Sequence, residues 1–482
     1  MKVTKYIYLS FALLTATSCG NDWLDLEPST SVETETSINV LSDIEFTLNG
    51  IYSIMKHPYA YSGRLVYYGD VTGDDMQAVS STKRTGNYYR FNFTKDSGPS
   101  THWSYPYSII QSCNLILNNV DKISVDSGEE AYRDDLKGQA LAIRGMALFD
   151  LTRIYGYPYL KDGGTSLGVP IVKTTSTIDS KPARNTVAEC YAEIISDLES
   201  STQLLSGKFN KGKFNRWAAM TLLSRVYLYK GDNEKALKMA EEAIKGAEKN
   251  KFALWSNEEY PTACGYDASS SKPGEVLFEM VNLTTDSPGK ESMGYLSSYK
   301  GYDDLCVTVS FYHLLKQDPK DVRLKLLSFD KTYYAYVNKY QPQEGENIAD
   351  ANIPLIRLSE AYLNAAEAAV KEGDNETAVK YLNPIVQRAN PANSVEDKVL
   401  TLDDVLNERR KELVGEGHRM YDLMRNGLPV KRVNETDKAI SKTKHNTAYM
   451  EYDWNFFRIV LPIPKAEIDT NPNIQQNPGY VE

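Results

Sequence analysis

Apolar residues recur at helical spacing over several long stretches of this chain: residues 41–55, 106–120, 129–155, 187–205, 216–230 and 234–249. A stripe of apolar positions every three to four residues marks a helix that lays one face on a core. Between residues 251 and 352 this pattern fades. Gly, Pro, Ser and Tyr dominate there, with short strand-like runs at Val276-Leu277-Phe278-Glu279-Met280 and at 333–337. Residues 59–103 have the same irregular character. The pattern predicts a mainly α scaffold with two loop-rich regions, and loops held by a rigid scaffold are where binding residues concentrate.

One unit of the scaffold occurs twice, and recurrence at this length is the sign of a repeat architecture. Gly231-Asp232-Asn233-Glu234-Lys235-Ala236-Leu237-Lys238 returns as Gly373-Asp374-Asn375-Glu376-Thr377-Ala378-Val379-Lys380. Around the second copy, Leu355, Leu358, Tyr362, Ala365, Ala366 and Ala369 form one apolar face, and Ala378, Leu382, Ile385 and Val386 form the answering one. Gly373 suits the left-handed backbone that stops a helix, and Asp374 or Asn375 can cap the next. The small side chains of Ala361, Ala365, Ala366 and Ala368 allow close helix approach. The unit resembles a tetratricopeptide hairpin. Pro384, lacking a backbone N–H, is expected to kink or end its second helix.

The N-terminus reads as an export signal in residues 1–18. Lys2 and Lys5 supply positive charge, residues 7–14 an apolar core, and Ala16-Thr17-Ser18 a small-residue cleavage zone. That core is too short to span a bilayer. Cys19 follows at once, then the polar run Gly20-Asn21-Asp22, an order resembling a bacterial lipoprotein signal. The expectation is that Cys19 is lipidated and residues 19–40 tether a single domain over 41–482; an ordinary secretory signal cut near Ser18 is the alternative. No later segment is apolar for long enough to span a membrane, so anchorage rests on the lipid.

Charge narrows the partners. Lys plus Arg number 54 against 64 Asp plus Glu, a net charge of −10, and the absence of basic runs argues against nucleic acid. No cofactor motif is present. Tyr is abundant, 34 against 13 Phe, and its flat ring with a polar tip suits half-wet binding surfaces. Cys113 and Cys190 fall in helical patterns and read as buried thiols, whereas Cys264 and Cys306 lie in loop sequence and are the pair to test for a disulfide.

Several constellations invite a catalytic or metal reading. Glu408, Glu412 and Glu416 share one helix face, with His418 just beyond. A catalytic zinc needs about three converging ligands. This run has one His after a helix-breaking Gly-Glu-Gly, and Arg409, Arg410, Arg419 and Arg425 stand ready to pair with the acids and with Asp422. An ion-pair network is the expectation. Asp74 with Asp75, or Asp303 with Asp304, suggests a glycosidase pair, but adjacent acids in Gly-rich loops more often form turns or solvated charges. No nucleophile motif appears, and the twelve-residue calcium loop is missing.

The strings Arg357-Leu358-Ser359-Glu360-Ala361-Tyr362-Leu363-Asn364-Ala365-Ala366-Glu367-Ala368, Leu406 through Arg425, Leu461-Pro462-Ile463-Pro464-Lys465-Ala466-Glu467-Ile468, and the closing Asn471-Pro472-Asn473 with Asn477-Pro478-Gly479-Tyr480 resemble the SusD/RagB family of Bacteroidetes. Leu24-Asp25 close behind Cys19, and Trp103 with Tyr107 ahead of Asn114, fit the same pattern. The resemblance covers essentially the whole chain. It implies four tetratricopeptide-like hairpins cradling an irregular ligand face, and places Trp103 in the core and Asp70-Val71-Thr72-Gly73-Asp74-Asp75 in packing near that face. It also implies a surface lipoprotein without catalytic activity, which binds oligosaccharide or polysaccharide and delivers it to a SusC-like TonB-dependent porin of the outer membrane.

Sugar rings present C–H faces that stack on aromatic rings and hydroxyls that need polar partners at the edge. Two stretches offer both: residues 84–90, with Arg84, Tyr88 and Tyr89, and residues 293–304, with Tyr295, Tyr299, Tyr302 and Asp303. Tyr67 and Tyr68 are possible neighbours. Burial in the core is the competing reading for any one of these rings. Two other function classes stay open: a scaffold or adhesin that binds protein or peptide in the repeat concavity, and a secreted hydrolase.

Overall fold

A computed structural model describes residues 38–175, 179–263, 273–329, 334–342, 347–437, 445 and 447–481. The export signal, Cys19, most of the tether and Cys264 lie outside the described residues. After α1 (Leu41–Lys56) the first irregular region holds α2 (Arg64–Val71), β1 (Met76–Ala78) and the one-turn α3 (Gly86–Tyr89). The helices α4 (Thr101–Asn119), α5 (Glu130–Tyr155), α6 (Tyr159–Asp162), α7 (Val187–Leu204), α8 (Arg216–Lys230) and α9 (Asn233–Lys249) follow. The second irregular region carries α10 (Tyr260–Ala263), β2 (Val276–Met280), α11 (Met293–Leu296), β3 (Leu305–Val307), α12 (Val309–Lys316), β4 (Leu327–Phe329) and β5 (Ala335–Val337). Then come β6 (Ile353–Arg357), α13 (Leu358–Lys371), α14 (Asn375–Ala389), α15 (Leu402–Glu412) and α16 (Arg419–Arg425). The short β7 (Val430–Lys431), β8 (Glu451–Tyr452) and α17 (Lys465–Thr470) close the chain.

The long helices pack as four pairs: α1 with α4, α5 with α7, α8 with α9, and α13 with α14. Contacts of α4 with α5, α7 with α8, and α9 with α13 join the pairs into one continuous stack. This is the mainly α, tetratricopeptide-like scaffold that the repeat foreshadows. Both copies of the repeated unit do the same local work. Gly231 and Gly373 sit at φ 83° and 77°, where a side chain is strained, and turn the backbone between helices. Asp232 and Asp374 then accept the N–H of Lys235 at 3.4 Å and of Thr377 at 3.0 Å, capping α9 and α14. Ala361, Ala365, Ala366 and Ala368 of α13 and Ala378 of α14 are fully buried, on helices that pack against each other.

Pro384 does not end α14, which continues to Ala389. The lost hydrogen bond is outweighed by the packing of Leu382 and Ile385, both buried on either side of the proline. Trp103 is buried against Tyr155 and Tyr107, and Cys113 and Cys190 are buried thiols. Cys306 is buried in β3, with its sulfur 3.9 Å from the Gln77 carbonyl.

The strands form two-stranded antiparallel pairs. One matters for function: β1 pairs with β3, Met76 opposite Val307 and Ala78 opposite Leu305, so the two irregular regions are stitched into one face. Among the described residues no helix is long and apolar enough to cross a membrane.

Candidate ligand-binding site

The acidic and basic run at 408–419 anchors both irregular regions. From the second region, Arg323 meets Glu408 at 2.7 Å and Lys339 meets Glu416 at 2.6 Å. Arg357 bridges Glu275 at 2.6 Å, Glu412 at 2.9 Å and Glu416 at 2.7 Å, and Arg388 joins Glu412 at 2.7 Å. Burial alone would raise the Glu412 carboxyl, but the guanidinium groups of Arg388, Arg357 and Arg323 hold it far below the usual carboxylate range. From the first region, Asp74 binds Arg419 at 2.6 Å, Asp75 binds Arg410, and Asp70 accepts the Gly417 N–H at 2.7 Å. Asp74 and Asp75 are thus neither turn-formers nor solvated charges; both are buried and ion-paired. The Glu408–His418 run is the expected network. His418 is buried beside Arg409, and no cluster suited to a metal occurs among the described residues.

In the first irregular region, Tyr67, Tyr88 and Tyr89 are core rings, 2%, 5% and 2% exposed. Tyr88 meets Tyr67, Tyr68 and Phe93 edge to face at 5.5, 5.9 and 5.2 Å. Burial pushes its hydroxyl up to about 12. Tyr89 lies under the Arg432 guanidinium at 4.3 Å and hydrogen-bonds His445. In this conformation these rings have no face left for a ligand.

The second stretch behaves differently. After α11 the chain folds back on itself: the Tyr302 N–H bonds the Tyr295 carbonyl at 2.9 Å, and the Gly301 and Asp303 N–H groups bond the Ser298 carbonyl at 3.0 and 3.2 Å. A Cβ at position 301 would fall 2.1 Å from the Tyr295 carbonyl oxygen, so glycine is required there. Asp303 takes a left-handed φ of 54°, a conformation Asp tolerates better than most residues. The fold-back sets Tyr295 and Tyr302 edge to face at 4.9 Å and leaves Tyr299 42% exposed.

Partners from other elements fix these rings. The Arg84 guanidinium lies 3.7 Å over Tyr302, within 3.5 Å of Glu291 and 3.7 Å of Asp304. Lys83 donates to the Tyr302 carbonyl and stands 3.6 Å from Asp303, whose carboxylate also accepts the Tyr336 hydroxyl. Thr85 donates to the Asp304 carbonyl at 3.1 Å. The fully buried Asp304 carboxyl is pushed up by burial, against the pull of Arg84 and Lys83. Arg84, Tyr295, Tyr299, Tyr302 and Asp303 therefore come together on one face, and Tyr67, Tyr88 and Tyr89 do not join them. Lys83, Glu291 and Tyr336 belong to the same cluster and went unread in the sequence, while Asp304, considered there only as half of an acid pair, joins them. The bond from Lys83 to Tyr302 spans 219 positions, and no local pattern announces it.

Comparison with known proteins adds an independent line. A SusD family model matches residues 328–480, and a model described as starch-binding associating with outer membrane matches residues 22–228. A protein of Bacteroides vulgatus ATCC 8482, solved as a candidate sugar binding protein, is 80% identical with a TM-score of 0.92, covering 92% of this chain and 100% of that one. A SusD superfamily protein of the same strain is 37% identical with a TM-score of 0.85, again covering 92% and 100%. The SusD-like protein P38 of Formosa agariphila is 22% identical over the full length of both chains.

Proposed function

The chain belongs to the SusD/RagB family, and from that premise we propose that it is a non-catalytic, surface-exposed lipoprotein. In this reading it captures oligosaccharides at the face of Arg84, Tyr295, Tyr299, Tyr302 and Asp303 and passes them to a TonB-dependent transporter of the outer membrane. The observation that carries the reading is the exposed Tyr299 ring, packed on Tyr336 on the same fold-back as the Tyr295–Tyr302 pair and its polar partners. The starch-binding, outer-membrane description of the second family model supports the same class. Asp74 and Asp75 are locked into ion pairs, which leaves no opposed carboxylates for glycoside hydrolysis there.

The direct test is calorimetry of an oligosaccharide panel against the chain lacking residues 1–19. Saturable binding lost in Tyr299→Ala supports capture at this face. Release of reducing ends would favour a hydrolase, and binding of peptides but no sugars would favour the adhesin reading. Lipidation at Cys19 is checked separately, by mass spectrometry of the mature N-terminus and by membrane partitioning of Cys19→Ala. An unmodified N-terminus, or unchanged partitioning of the variant, ends that part of the proposal.

A further inference from the structure

The charge around the exposed rings runs against the rest of the chain. The molecule as a whole is acidic, with a net charge of −10. At the candidate face, Glu291 is shared by Arg64 at 3.4 Å and Arg84 at 3.5 Å, and Asp303 is held by Lys83 and the Tyr336 hydroxyl. Asp304 is fully buried behind Arg84 and Lys83. Among the described residues each carboxylate at the face is thus already matched, and two cations remain. Lys290 places its ammonium 5.9 Å from the centre of the Tyr295 ring, and Lys300 places its own 6.0 Å from the centre of Tyr299. Both lysines are exposed, and neither has a carboxylate within ion-pair distance among the described residues.

Resting on the capture reading above, we infer that this face selects acidic glycans, those bearing uronate carboxylates or sulfate esters. The geometry suits them. A pyranose stacked on an aromatic ring projects its substituents outward past the ring edge, within reach of the ammonium groups of Lys290 and Lys300, 5.9 and 6.0 Å from the centres of Tyr295 and Tyr299. Arg84, already engaged by Glu291 and Asp304, holds the Tyr302 ring in place and leaves ligand charge to the two lysines. A neutral sugar uses only the rings; an acidic one uses the rings and the unmatched charge.

The test is a panel of length-matched oligosaccharides: galacturonic acid oligomers, the same oligomers as methyl esters, sulfated oligomers and neutral glucans. The expected result is binding of the uronate or the sulfated set. Methyl esterification should weaken binding several-fold, and added salt should weaken it further. Lys290→Gln and Lys300→Gln should each cost the acidic ligand about two- to fivefold, the order for a solvent-exposed ion pair, with melting temperature unchanged. Uronate against sulfate is decided by which set binds. If neutral glucans bind as well as their acidic counterparts, or the lysine variants bind acidic ligands normally, the charge selection is wrong although glycan capture stands. If no member of either class binds, both proposals fall together.

Discussion

Residues 59–103 and residues 251–352 are both fastened to the same segment, 408–419, with opposite polarity. The first region offers carboxylates, Asp74 and Asp75, to Arg419 and Arg410. The second offers cations, Arg323 and Lys339, to Glu408 and Glu416. Both are rich in Tyr, yet the first folds its rings inward around Tyr88 while the second leaves Tyr299 in water. The difference lies in what each chain segment has to pack against. The first contains α2 and α3, whose turns pile Tyr67, Tyr68, Tyr88 and Phe93 onto one another. The fold-back at 295–303 is spent on its own backbone hydrogen bonds, and Tyr299 is left at its tip. Ring count alone does not separate a candidate face from a core.

The comparison breaks most sharply under mutation of the inward rings and of the charges beneath them. Tyr88→Ala should cost about 3–5 kcal/mol of stability, read by chemical denaturation, because it empties a fully packed site. A variant that melts like the parent but loses sugar would move Tyr88 to the ligand face. Glu412→Ala should cost a similar ~3–5 kcal/mol, since it strands buried guanidinium groups. Tyr299→Ala should leave melting unchanged and weaken glycan binding by about 2 kcal/mol, the order of an interface hot spot. Early melting would show that its exposure is misleading. Ala365→Leu or Ala378→Leu should overpack the α13–α14 seam and cost ~1–3 kcal/mol without touching sugar affinity.

The smallest effect is the most diagnostic of the shared anchor. Glu412 has its folded value held below the ordinary 4.5, so its contribution is complete above that pH. It is lost as pH falls through the depressed folded value, where protonation of the unfolded chain is favoured. Urea midpoints should therefore drop on acidification below 4.5, and less steeply in Glu412→Gln than in the parent.

Helical periodicity made the scaffold legible. The stripes at 41–55, 187–205 and 216–230 become α1, α7 and α8 with ends shifted by a residue or less. The Gly-Asp turns and their caps are local chemistry and could be read directly. The first turn of α4, from Thr101, was missed because its buried stripe, His102, Trp103 and Pro106, is built from residues that do not read as apolar helix formers. The candidate face was half legible. Tyr299 and its neighbours stood out as aromatics without a helix, but Tyr88 and Tyr89 looked the same. Burial there depends on Phe93 and on Arg432, the latter hundreds of residues away. The ion pairs of Asp74 and Asp75 were hidden for the same reason: their arginines lie 345 and 335 positions downstream.

That separation has a consequence for the order in which the molecule assembles. A growing or translocating chain meets its early hairpins first; α8 and α9 can close on each other, although α9 completes its packing only when α13 arrives. The two loop regions cannot fully settle until residues 408–419 have emerged, because Asp74, Asp75 and Lys339 meet their ion-pair partners only there, and contacts of such long range are slow to form. The face carrying Tyr299 should thus be the last part of the fold to mature. A chain stopped short of α15 should keep helical signal by circular dichroism yet leave the Tyr299 fold-back open to protease.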